Sequence, residues 1–163
     1  MQEEDLLKVL FMISDIYKEL VDNILIINKD LKEYKEKNSE LLSPKIFMEI
    51  IVPIKNLIEN VNKTTSKVSE LSETLDTIFR ELEINFNPLN LLYYRRTLKK
   101  NLEKIHGFEK DIDNNIDKNS CKEYLYKNYK AIIEYTEKTI IFNSDVLSDI
   151  SYTLKSSYFK LPF

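Results

Sequence analysis

Leu6, Leu10, Ile13, Tyr17, Leu20, Ile24, Ile27, Leu31 and Tyr34 follow one another at alternating steps of four and three. Such steps keep one apolar stripe on one side of an α-helix and match a coiled-coil seam for about four heptads. A second stretch repeats the rhythm through Phe47, Ile50, Ile54, Leu57, Val61, Thr64, Val68, Leu71, Leu75, Ile78 and Leu82. Up to Ile27 the first stripe is widened by Leu7, Val9, Met12, Ile16, Val21 and Leu25. A stripe that wide must meet more than one neighbouring helix. Beyond Asn28 only the seam stays apolar, which predicts the exposed tip of a hairpin. In the second stretch Thr64-Thr65-Ser66 interrupts the apolar rhythm with a thin polar layer, of the kind that can fix helix register.

Helix boundaries are marked by proline. Ser43-Pro44 reads as an N-cap followed by proline at the first helical position, where its missing N–H costs nothing. Asn87-Pro88 repeats the signal. Pro53 is expected to kink the second helix or restart it, leaving Lys45 to Val52 as a separate turn. A third helix carries Leu91, Leu98, Leu102, Ile105, Phe108 and Ile112 inward, with Gly107 as a place to bend. Asp113 to Ser120 is polar and reads as a loop. A fourth helix carries Leu125, Tyr129, Ile132, Ile133, Ile140, Ile141, Val146, Leu147, Ile150 and Leu154. The expected helices span about 3–40, 44–84, 88–116 and 121–156, with an apolar tail over 157–163. With short connections they predict an all-α fold of one domain over 1–163. The simplest closure is an antiparallel, up-down-up-down four-helix bundle with a long coiled-coil-like first hairpin.

Composition removes most alternatives. The chain has one Gly, one Cys and one His in 163 residues. Phosphate-cradling loops and tight hairpins need glycine for positive φ and close backbone approach, so nucleotide-binding loops and many-stranded β folds are excluded. A single cysteine forbids a disulfide framework or a thiolate zinc site. The longest purely apolar runs, such as Ile24 to Ile27, fall far short of the ~20 residues needed to span a bilayer, so no membrane span is expected. The acidic start Met-Gln-Glu-Glu-Asp is unlike a signal peptide and points to a cytoplasmic setting, or a host-cell or virion interior. Abundant Asn, Lys and Ile beside a single Ala point to an AT-rich coding sequence.

Few residues offer chemistry. Glu103 and His106 have the Glu-x-x-His spacing of carboxylate-bridged di-metal bundles. That site needs a second copy and two further glutamates, and His106 is the only histidine. Cys121 opens the fourth helix, where the dipole lowers a thiol pKa, but catalysis also needs a positioned base. Asn62-Lys63-Thr64 matches a glycosylation sequon and is read as chance without a secretory signal. No nucleophile–base pair, metal set or phosphate cradle emerges, so no enzyme, cofactor or metal is expected.

Charge and aromatic placement are more informative. The net charge is -3, which leaves no global footprint for nucleic acid. Met1 to Ile84 holds 11 basic and 17 acidic residues, a net of −6, while Asn85 to Phe163 holds 13 and 10, a net of +3. Within the basic half, Tyr93, Tyr94, Arg95, Arg96, Lys99, Lys100 and Lys104 form a basic, aromatic ridge on the third helix. It could balance the acidic first hairpin, bind an anion or nucleic acid, or meet an acidic protein. Tyr124, Tyr126 and Tyr129 crowd the fourth helix and cannot all face one core, and Tyr158, Phe159 and Phe163 follow in the tail. Exposed aromatics are enriched at protein interfaces. The expected function is a non-enzymatic scaffold or adaptor that binds a protein partner or a second copy of itself. An accessory nucleic-acid or anionic-surface binder is the alternative. A membrane-acting helical toxin or immunity protein, resting on the apolar segments Leu6 to Ile27 and Ile46 to Ile58, is a further one.

Overall fold

A computed structural model describes residues 3–32, 34, 44–82, 88–115 and 120–157. Helix α1 spans Glu3–Leu25 and passes into a π-helical turn over Ile26–Asp30. Helices α2, α3 and α4 span Pro44–Leu82, Pro88–Asn115 and Ser120–Ser157. The described residues contain no strand. Pro44 and Pro88 stand at the first positions of α2 and α3, as the cap signals predict. Pro53 does not restart α2, which is one helix from end to end. Nor does α3 break at Gly107.

Each pair of consecutive helices is antiparallel. Tyr34 and Asn23 of the first segment reach Glu49 and Thr64 of α2. Lys55 and Arg95 pair across α2 and α3 with Asp113 and Glu73. Tyr94 and Tyr124 bond Asp149 and Asp111 across α3 and α4. The cross-section is a flattened diamond. Helices α2 and α4 pack across its short diagonal, while α1 and α3 occupy the far corners. Helix α2 therefore touches all three others and α1 mainly two.

Every described α2 position expected to point inward is buried, from Ile50 to Leu75. The first helix needs correction. Leu10, Tyr17 and Ile24 are exposed, and Val9, Ile16 and Asn23 take their places in the seam with Ile13, Leu20 and Ile27. Two apolar stripes are interleaved on α1, and the polar partner across the bundle selects one. Asn23 Nδ2 donates to Thr64 Oγ1 at 3.0 Å, so the seam runs through an asparagine rather than through Ile24. Regular four-three alternation would next bring Asp30 inward. The π turn delays the phase by one residue: Leu31 N–H donates to the Ile26 carbonyl at 3.2 Å, Leu31 is buried and Asp30 is exposed.

The polar layer seen in the sequence crosses the bundle. Thr64 bonds Asn23 on α1, and Thr65 Oγ1 accepts from Asn143 Nδ2 on α4 at 3.0 Å. Both hydroxyls also donate one turn back to the α2 backbone, at Asn60 and Val61. Two neighbouring threonines thus tie α2 to helices on different sides.

Candidate interaction surface

The basic ridge on α3 is divided by its neighbours. Arg95 lies 4.0 Å from Glu73 and 3.8 Å from Asp76 on α2, so it is drawn into the acidic hairpin. Arg96, Lys99 and Lys100 are exposed beside Glu103. The Lys104 ammonium sits 5.3 Å above the Phe108 ring, a cation–π contact. Tyr94 is half-buried: its hydroxyl donates to Asp149 and its ring meets Phe142 edge-on. Burial foremost, and then that hydrogen bond, push its pKa up to about 12. Tyr93 is exposed with its ring edge-on to the same Phe142. The ridge thus keeps three cations and one tyrosine exposed at the surface, while its other members make contacts within the fold.

The tyrosines of α4 also separate. Tyr129 is expected at an interface, but it is 1% exposed and belongs to the core. It lies four residues after Leu125 and three before Ile132 and so falls on the buried side of the helix. Tyr124 is half-buried and donates to Asp111 Oδ2 at 3.2 Å. Desolvation, then the adjacent carboxylate, raise its pKa to about 12. Tyr126 is exposed. Ile141, expected inward, is exposed as well, since Ile140 and Phe142 on either side take up the contacts with the core. Tyr158, Phe159 and Phe163 lie outside the described residues.

His106 and Glu103 line an open cleft of about 500 Å³ between α2 and α3 with Glu59, Lys63 and Glu109. His106 and Glu103 are both exposed there. Among the described residues no three His, Cys, Asp or Glu side chains are placed to hold a metal ion.

The largest anomaly lies on α1. Leu7, Leu10, Phe11, Tyr17, Val21, Ile24 and Leu25 are all large, apolar and between 36 and 69% exposed. Their spacing places them on one continuous outer face, turned away from α2. Leu10 and Ile24 lie along the α1–α4 seam, where shallow grooves open against Leu154 and Ile141. The opposite flank of α1 is ionic: Glu19 accepts from Lys67 at 2.6 Å and stands 3.8 Å from Lys63. Sequence reasoning treats most of this face as core and does not single out Phe11 or Tyr152, the two most exposed aromatics among the described residues. The usable signal for Phe11 is its position four residues after Leu7 and ten before Val21, on the stripe that the Asn23 seam leaves outside.

Comparison with protein-family models, curated proteins and solved structures finds no match to the chain.

Proposed function

We propose that the protein is a non-enzymatic interaction module that docks through the outer face of α1. One observation supports this reading most: seven large apolar side chains share an uncovered helix face. The seven expose on the order of 600 Å², at the upper end of what monomeric proteins leave in one patch. Residues Glu3–Lys32 hold seven acidic and four basic residues. That acidic surround disfavours an anionic lipid surface, which amphipathic helices meet with lysine and arginine. Among the described residues no helix is long and apolar enough to cross a membrane. A protein surface is the better occupant.

The test is capture of binding partners from a native lysate at low and high salt. It compares the wild type with the double variant Phe11→Lys, Val21→Lys. Both positions are exposed, so the variant keeps its helical circular dichroism. Capture that survives high salt and disappears in the variant is the expected result. Recovery of nucleic acid only at low salt, abolished by changing Arg96, Lys99 and Lys100 to glutamine, would transfer the function to the α3 ridge.

A further inference from the structure

We infer that the occupant of the α1 face is a second copy of this chain, bound antiparallel about a two-fold axis that crosses α1 near Ile16. The inference rests on the α1 docking reading and names its partner.

The exposed stripe runs from Leu7 to Leu25, about 27 Å at the helical rise. A straight apolar stripe of that length, broken only by Ser14 and Lys18, fits another helix better than a loop or a small ligand. A standard interface removes about 800 Å² from each partner, and the roughly 600 Å² exposed by the seven apolar side chains supplies most of it. In a two-fold contact the same patch serves both sides, so no second complementary surface is needed.

Charge decides the direction. An axis at the level of Ile16 sets Leu7 against Leu25 of the second copy and Phe11 against its Val21. Ser14, a small residue in the middle of the stripe, then meets Lys18 and lets the helices approach. Glu4, exposed at the start of the stripe, comes to the level of Lys29, exposed just beyond its end. Asp22 falls opposite Leu10, clear of its own copy. A parallel arrangement would align Glu4, Lys18 and Asp22 each with its own copy, and each pairing would repel.

Sedimentation equilibrium on the full chain gives the first reading. The wild type is expected to be a dimer, and Phe11→Lys with Val21→Lys is expected to weaken dimerisation at least 100-fold while helicity is kept. The second reading is cross-linking in a Cys121→Ser background. Phe11→Cys with Val21→Cys should give a covalent dimer on mild oxidation, and Phe11→Cys alone should not. Covalent dimer from the single variant would overturn the antiparallel pairing. A dimer indifferent to the lysine substitutions would overturn the use of this face. A wild type that stays monomeric at every concentration overturns the second copy as occupant. If lysate capture is then still lost in the lysine variant, the docking reading stands with a foreign partner. If capture is unaffected, both fail. Should Phe11 of a monomer become reactive only after Phe159→Ser and Phe163→Ser, the tail of the same chain is the occupant instead.

Discussion

Helices α1 and α2 lie side by side, carry the same four-three rhythm, and present opposite surfaces. On α2 the described outward positions are mostly polar or charged, with Val52 the one large hydrophobic among them. On α1 seven large hydrophobics face out. The difference follows from position in the diamond. Helix α2 meets three neighbours, which cover every large apolar side chain described on it except Val52. Helix α1 meets mainly two and carries apolar residues for a third. A heptad pattern therefore states how much surface a helix needs covered, and the packing states whether one chain supplies the cover.

The sharpest way to break this comparison is to truncate equivalent side chains on the two helices. Leu71→Ala on α2 removes a fully buried side chain and should cost about 2–5 kcal/mol. Leu25→Ala on α1 should cost no more than about 0.5 kcal/mol in dilute protein, because no cavity forms. Equilibrium denaturation of both variants decides it, and similar losses would mean that the α1 face is covered within the chain.

A middle-sized effect is expected where α2 shares the polar layer with α4. Thr65→Val removes the acceptor of Asn143, a fully buried amide whose Oδ1 already has no partner among the described residues. Stranding its N–H group should cost about 1–3 kcal/mol. Adding Asn143→Leu should recover most of that loss, since an apolar pair strands nothing. Recovery in the denaturation midpoint of the double variant is the measurement. If the second substitution only adds to the first, the layer contributes more than mutual satisfaction of its own groups.

Smaller still is a pH effect at the opposite corner. Tyr94 holds its proton up to about 12 in the folded chain, chiefly through burial and then through Asp149. An unfolded tyrosine releases its proton near 10. Between those values the unfolded chain has lost the proton and the folded chain has kept it, so stability falls as pH rises through the window. Tyr94→Phe should flatten that fall in denaturation series from pH 9 to 12. Tyr124, raised to about 12 as well, leaves a residual slope. An equally steep fall in the variant would place the loss elsewhere.

The smallest effect belongs to the ionic flank of α1. Lys67 has its pKa raised first by its hydrogen bond to Glu19, but it is well exposed. Lys67→Ala should change stability by no more than about 1 kcal/mol. A larger loss in a denaturation series would make this flank, rather than the apolar seam, the anchor of α1.

Much of this molecule is legible in residue order. Ser43-Pro44 and Asn87-Pro88 mark helix starts because a local cap and a fixed φ act before any tertiary contact. The α2 seam is legible because only one stripe is apolar. On α1 two stripes compete, and the choice between Ile24 and Asn23 depends on Thr64, forty-one residues away. The π turn is hidden for the same reason: it follows from keeping Asp30 out and Leu31 in against α2. On the α3 ridge, Arg95 and Arg96 are neighbours in sequence, yet only Arg95 reaches the acidic residues of α2. Helical rotation of 100° between them decides that, and the identity of the facing helix is not a local property.

Side-chain oxidation by hydroxyl radicals, followed residue by residue as the protein is concentrated, tests the central claim most directly. Phe11 and Tyr17 on the outer face of α1 should lose reactivity with rising concentration. Tyr152, even more exposed but on α4, should keep its own. Unchanged reactivity at Phe11 and Tyr17 across the whole range, or equal protection of Tyr152, would contradict the account.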